Sequence, residues 1–461
     1  MKTQNIYDNI SVVTIYNRVN KTINSVKIDT RKIAMGDCYV GIKGEKTDGN
    51  LFYKDAFLKG ADIAILDNYS ISDVDMTYLK ENDKSIVVVE DTIKALGELA
   101  KYKRSLFNSP VVAVTGSAGK TSTKDIIYSV LREKYNAHKT IGNQNNHLGL
   151  PLTVLALDDK TEVLVLEMGM NHEGEISYLT NIAKPNVAVI TNVGTAHIGN
   201  LGSRENILKA KLEILEGLDS DGTLIINNDN DLLHEWYLEN KDKYHVLTIG
   251  INNPSDFLAS DIKMDEDGSS FTCNGEAFVV PVGGEHFIYN ALSAIAVASI
   301  FKVSYKSIKK GILNFELSSN RMNIINNESS DITIIDDSYN ANFDSMKYAI
   351  KYLSGLDGRR IAVLGTMKEL GKYAESLHRK IGSIINQEEI DILITVGDEA
   401  KYINDEALNE GFNKENSYHF DSNEDAIKKI KEIINSADRI LIKASNSLNF
   451  KEIVDSLKGE I

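Results

Sequence analysis

The chain has 461 residues, a formal net charge of −15, 42% hydrophobic and 25% charged residues, and two cysteines. The acidic balance argues against broad binding to nucleic acid or a membrane surface, which calls for basic patches, but it leaves room for an anionic small ligand in a locally positive pocket. Cys38 and Cys273 lie far apart, no signal-peptide-like run opens the chain, and no stretch of about 18–20 apolar residues occurs, so neither a disulfide framework nor a membrane span is expected and the cytoplasm is the expected compartment.

At about 100–200 residues per domain the length predicts two to four domains, and the pattern divides into three blocks, 1–108, 109–315 and 316–461. The first block carries short apolar runs at Cys38–Ile42, Ile63–Leu66 and Ile86–Val89. A helical pattern from Thr92 to Phe107 closes it, with Ile93, Leu96, Leu99, Ala100 and Leu106 near one face, and Pro110 marks a boundary. From Val111 the pattern becomes strand, turn, helix. Val111–Val114, Val163–Leu166, Val187–Ile190 and Thr223–Ile226 read as buried strands. Lys124–Tyr135 reads as an amphipathic helix with Ile126, Ile127, Val130 and Leu131 on one side. Helices through Asn290–Ser299 and up to about Leu313 end the block. The third block starts near Asn320, with strands at Ile332–Ile335, Ile361–Leu364, Ile392–Val396 and Ile440–Ile442. Strands that alternate with helices predict an α/β fold with parallel sheets, whose ligands sit at the carboxyl ends of the strands.

The stretch Val112–Thr123, VAVTGSAGKTST, lies in such a place. It departs from the general phosphate-loop pattern G-x-x-x-x-G-K-[ST], because Val114 stands where the first glycine belongs. The strand–turn–helix context still suits phosphate: N–H groups of the turn and helix start can cradle its oxygens, Lys120 can neutralise the outer phosphates, and the Thr121 hydroxyl can face Mg²⁺. The alternative is a plain glycine turn. Glu167, after the strand Val163–Leu166, offers a carboxylate for a hard cation, and His197, in the loop Thr191–His197, is placed to reach the same region. Each is a weak signal alone. Lys211, within the helical run Glu205–Ile214, reads from pattern as a surface lysine. These residues point to a magnesium–nucleoside triphosphate site and leave the reaction open.

The ordered set of motifs resembles the Mur ligases, ATP-dependent amide-forming enzymes of peptidoglycan synthesis, whose loop T-G-[ST]-x-G-K-[ST] needs no glycine at the position of Val114. The resemblance is carried by Asp29–Ile33 and Val40–Phe52 in the first block. In the second it rests on Gly142–Thr153, Glu167–Ile176 and Thr191–Ile214, and in the third on Asn320–Ile324, Asp336–Met346 and Leu364–Gly371. It implies three domains: a UDP-substrate domain, a central phosphate-loop ATPase domain, and a Rossmann-like α/β domain that closes on ATP and takes the incoming amine. The third-block segments are most similar to the member that adds D-alanyl-D-alanine to UDP-N-acetylmuramoyl-tripeptide through an acyl phosphate, a cytoplasmic step, with a monomer expected.

The resemblance also implies roles. Thr115, Gly116, Ser117, Ala118, Gly119, Lys120, Thr121 and Ser122 would hold ATP phosphates, His286 and Asn290 would contact adenine, and Arg321 and Asp337 would reach ATP from the third domain. Thr121, Glu167, His197 and Lys211, the last as a CO₂-derived carbamate, would serve magnesium; Lys120, Glu167, His197 and Lys211 would be catalytic. Thr30, Arg31, Lys43, Asp48, Gly49 and Asn50 would form the UDP pocket, while Asn145, Asn146, Asn340 and Asn342 would contact substrate. Thr366, Phe343, Ala444 and Asn446 replace the Asp, Pro, Gly and Arg usual at those positions, and Asn50 stands for His. The alternatives are a ligase that takes D-Ala-D-Ser or D-Ala-D-Lac, and a homologue that binds ATP without ligating.

Overall fold

The apolar runs become strands of separate sheets in a computed structural model that describes residues 1–67, 69–70, 72–265, 268–318, 321–327 and 330–458. Asn320, the first residue of the motif at 320–324, lies outside the described residues. The first sheet has five strands, in the order Val12–Tyr16, Ser85–Val89, Ile63–Asp67, Cys38–Val40, Val26–Lys27, and only the Val12–Tyr16 edge runs antiparallel. Helix Thr92–Ser105 follows, started by Asp91, whose carboxylate accepts from the N–H groups of Ile93 (2.7 Å) and Lys94 (2.9 Å).

The central sheet is parallel, with seven strands in the order Phe257–Leu258, His245–Gly250, Thr223–Asn227, Val187–Ile190, Val111–Thr115, Val163–Glu167, Ala137–Lys139. Its middle strands are buried along their whole length, which is why they read as unbroken apolar runs rather than as alternation. The strand expected to stop at Val114 runs one residue further, to Thr115, and the helix expected from Lys124 begins a turn earlier, spanning Lys120–Leu131. The cause is Gly119, whose left-handed φ of +78° ends the turn and lets the helix start on the next residue.

Residues 260–280 form an unexpected three-stranded antiparallel sheet, Ser260–Asp265, Gly268–Cys273 and Glu276–Val280. Phe271, Cys273, Phe278 and Val280 are buried, and Phe271 stacks on Phe278 with ring centroids 5.6 Å apart. Helices Glu285–Ile300 and Tyr305–Leu313 complete the unit.

The third sheet has six strands, in the order Asn323–Asn327, Ile332–Asp336, Asp438–Lys443, Arg359–Gly365, Ile392–Val396, Ser417–Phe420, parallel except for the first. Helix Phe343–Ser354 sits after its second strand, with a reciprocal cap between Asn342 and Ser345.

The first and second units are keyed together. A Cβ on Gly97 would lie 2.1 Å from the Tyr178 hydroxyl, and Arg104 donates across the seam to the carbonyls of Ala183 (2.6 Å) and Lys184 (3.0 Å). The third unit rests on the second around one cleft: Asn342 donates to the Ser117 carbonyl (3.2 Å), Asp344 accepts from the Thr195 N–H (2.8 Å), and Tyr373 donates to the Gly202 carbonyl (2.7 Å).

Candidate active site

The cleft between the second and third units has a volume of about 330 Å³ and lies at the carboxyl ends of the central strands. Its floor is the turn after Val111–Thr115. Gly116 has φ +153°, and a Cβ there would sit 1.8 Å from the Thr191 hydroxyl; one on Gly119 would be 3.0 Å from the Asn290 side-chain oxygen. Only glycine lets the backbone pass so close to these neighbours. Ser117, Ala118, Gly119, Lys120, Thr121 and Ser122 line the cleft. Thr115 and Gly116 do not: the Thr115 hydroxyl is buried and donates to the Met168 carbonyl (2.9 Å), so these two residues build the turn from beneath. The N–H groups of Ser117 and Ala118 converge on one acceptor, the Asn192 side-chain oxygen, at 3.0 and 2.9 Å. Lys120 donates to the Gly116 carbonyl (2.8 Å), and burial pushes its pKa down.

Glu167 also lines the cleft, but it is not the solvated strand-end group that position suggests: it is 1% exposed. Asn145 donates to its Oε1 (2.8 Å), while Oε2 has no hydrogen-bond partner. His197 lies on the opposite lip, in a left-handed conformation (φ +63°), with its Nδ1 against the Glu369 carboxylate of the third unit. That contact holds the Glu369 carboxyl below its ordinary pKa. Among the described residues no three His, Cys, Asp or Glu side chains cluster as a metal cage. The available donors, the Glu167 carboxylate and the Thr121 hydroxyl, are the few hard oxygens that suit a Mg²⁺ shared with phosphates and water.

Lys211 is the largest correction to the pattern reading. Helix Arg204–Leu212 carries it inward to 1% exposure rather than out to solvent. Burial first, and the positive charge of Lys120 second, push its pKa well below the ordinary ammonium value.

At the far end, His286 is half-buried with a buried, unpartnered Nδ1, and desolvation followed by the Lys443 charge lowers its pKa to about 3. The Asn290 Oδ1 accepts from Thr123 (2.8 Å), and its Nδ2 is buried without a partner. From the third unit Arg321 lies over the Tyr339 ring at 4.0 Å, and Asp337 pairs with buried Lys443. Asn340, Asn342, Asn145 and Asn146 line the same cleft.

The first-unit residues do not. Thr30, Arg31, Lys43, Asp48, Gly49 and Asn50 gather around their own loops. Arg31 is exposed and chelated by Asp29 (2.9 and 2.8 Å), and Asp48 caps the turn at Gly49. The Asn50 amide is taken up within the fold by Asp48 and Asp67, so it braces the loop instead of presenting itself to a ligand. The departures at Thr366, Phe343, Ala444 and Asn446 lie outside the cleft lining. Thr366 and Ala444 are buried, Phe343 opens a helix, and Asn446 donates to the Tyr339 carbonyl (3.0 Å).

Asn192, Tyr339 and Lys443 are among the cleft residues that sequence reasoning did not single out. Lys443, the last residue of a buried strand, carried the one signal that could have singled it out: a lysine ending an apolar run at the carboxyl edge of a parallel sheet.

Three family models match the chain: "Mur ligase family, catalytic domain" over residues 22–104, "Mur ligase middle domain" over 114–298, and "Mur ligase, glutamate ligase domain" over 320–446. The chain is 39% identical to the UDP-N-acetylmuramoyl-tripeptide–D-alanyl-D-alanine ligase of Bacillus subtilis, covering 94% of this chain and 93% of that one. It is 33% identical to the Escherichia coli ligase of the same name, over 95% and 94%. Among solved structures it is similar to MurF from Acinetobacter baumannii (TM-score 0.89, 28% identity, 99% and 98% covered). It is also similar to the MurF ligase of Thermotoga maritima in complex with ADP (TM-score 0.82, 27% identity, 95% and 97% covered).

Proposed function

The chain belongs to the Mur ligase family, and on that premise we propose that it is the ATP-dependent, ADP-forming ligase that joins D-alanyl-D-alanine to UDP-N-acetylmuramoyl-tripeptide in peptidoglycan precursor synthesis. The observation that carries this reading is one cleft in which a phosphate turn with Lys120, the buried carboxylate Glu167 and His197 meet Arg321, Asp337 and Asn342 from the third unit.

The chemistry follows from those groups. The tripeptide carboxylate attacks the γ-phosphorus of ATP, the bond to the β,γ-bridging oxygen breaks, and ADP leaves with that electron pair. Lys120 and Arg321 neutralise charge on the transferring phosphoryl group, and positioning supplies most of the acceleration. The free amine of the dipeptide then adds to the acyl carbon, and the tetrahedral adduct expels inorganic phosphate. Bound Mg²⁺ would lower the charge between phosphate oxygens, and Glu167 and Thr121 would hold it, with His197 at the edge of the same region. Burial shifts the Lys211 equilibrium toward the neutral amine, the form that adds CO₂ and releases a proton to give a carbamate anion. The unpartnered Nδ1 of His286 and Nδ2 of Asn290 are free to meet the adenine edge. The first unit, through Thr30, Arg31, Lys43, Asp48 and Gly49, would take the UDP end, and Asn145, Asn146 and Asn340 the peptide. The third unit covers the cleft and excludes water from the acyl phosphate. Among the described residues no helix is long and apolar enough to cross a membrane, and action as a cytoplasmic monomer is part of the proposal.

The test is incubation with ATP, Mg²⁺, UDP-N-acetylmuramoyl-tripeptide and D-Ala-D-Ala, with the pentapeptide product and ADP read by mass spectrometry. ATP binding without product would overturn the reading. A preference for D-Ala-D-Ser or D-Ala-D-Lac would change the amine alone.

A further inference from the structure

Beneath the cleft lies a buried charge cluster in which Glu167 meets two residues, Lys124 and Asp125, with no part in the chemistry above. Lys124 sits one helical turn after Lys120 and is fully buried, and its Nζ has no hydrogen-bond partner. It lies between two carboxylates, 3.3 Å from Asp125 Oδ1 and 3.7 Å from Glu167 Oε2. Asp125 is also held by Lys139, 2.6 Å from the same Oδ1, and by the hydroxyl of Ser318, 2.7 Å from Oδ2. Glu167 is pinned on its other oxygen by Asn145 and at its backbone N–H by the Thr140 hydroxyl (3.0 Å).

A buried ammonium is an expensive way to fill space, since an apolar side chain of the same volume serves packing as well or better. What the ammonium adds is specific. It opposes the Glu167 charge from beneath, beside the longer-range charge of Lys120. At 3.7 Å it does so by charge alone, so the lone pairs of Oε2 stay unengaged. One oxygen is fixed by a hydrogen bond and the other is restrained by the ammonium without one.

We propose that Lys124 is a positioning residue for the ligase reaction, holding the Glu167 carboxylate aimed so that it can take a divalent cation beside the nucleotide phosphates. The inference rests on the reading of Glu167 as a magnesium ligand, and the experiment separates the two. ADP binding to the full chain is measured by calorimetry in EDTA and in Mg²⁺, for the native protein and for Lys124→Met, Glu167→Gln and the double variant. The native chain is expected to bind ADP more tightly with Mg²⁺. Lys124→Met should keep its EDTA affinity within about twofold and lose about tenfold of the magnesium gain, a coupling of ordinary size between two ligands. Glu167→Gln should lose a similar share, and the double variant should lose no more than Glu167→Gln, because Lys124 acts through that carboxylate. Should Lys124→Met fail to fold, Lys124→Gln, which leaves a neutral polar group beside the two carboxylates, carries the same comparison. The proposal is overturned if Lys124→Met keeps the magnesium gain that Glu167→Gln loses, if it weakens ADP equally in EDTA and Mg²⁺, or if the double variant loses more than Glu167→Gln. An intact gain in Glu167→Gln ends the reading of Glu167 itself.

Discussion

Burial lowers the pKa of both Lys211 and His286, with different consequences. Under the proposed function the Lys211 amine would be the group that adds CO₂. Lys211→Ala is expected to lower kcat by at least about 100-fold, the scale of removing one charge-stabilising group from an active site, and added bicarbonate should not restore it. Incubation of the native protein with ¹³C-bicarbonate should give a carbamate resonance that the variant lacks. For His286 the neutral ring is a stability element. Its folded pKa of about 3 lies below the unfolded value near 6.5. The unfolded chain therefore binds a proton across that window while the folded chain does not. Stability fully present above pH 6.5 is lost as pH falls toward 3. His286→Gln should flatten the fall in melting temperature between pH 6.5 and pH 4, measured by calorimetry against the native chain.

The phosphate turn is the element on which the site depends most closely. Gly116→Ala would drive a methyl group into the Thr191 hydroxyl and force a left-handed φ on an L-residue. It should weaken ATP binding by about tenfold or more, equivalent to about 1–3 kcal/mol of backbone strain, while the melting temperature falls by only a few degrees. This element was legible in the sequence because glycine, lysine and threonine follow a buried strand without a break. The parallel strands were legible for the same reason: burial on both faces writes a continuous apolar run. The antiparallel strands between Ser260 and Val280 were not, because SDIKMD leaves only Ile262 half-buried among its described side chains and GSSFTC mixes polar residues with Phe271 and Cys273. Lys211 was misread because helical periodicity gives a face but not what packs against it. Lys124, Lys443 and Asn192 became meaningful only when chain segments far apart in sequence met around the cleft.

The whole molecule brings its third unit against the second through contacts that surround the cleft. Asp344 is the most economical point to test, since its carboxylate takes both the N–H and the hydroxyl of Thr195. Asp344→Ala should lower kcat by about tenfold with little change in ADP affinity, because it weakens closure rather than the nucleotide floor. Small-angle scattering should report a larger radius of gyration for the nucleotide-bound variant than for the native chain.

The seam at Gly97 works differently. With the Tyr178 hydroxyl packed directly on that helix and Arg104 bonded across it, the first two units are held against each other, and under the proposed function so is the distance from the UDP loops to the phosphate turn. The pair then acts as a ruler. A nucleotide carrying a dipeptide in place of the tripeptide would be anchored correctly at one end and fall one residue short at the other. It should compete for the enzyme with nearly undiminished affinity yet turn over at least about 100-fold more slowly, because misplaced reacting atoms forfeit the advantage of proximity. Gly97→Val, by prising the seam apart, should blunt that measurement of length before it abolishes ligation.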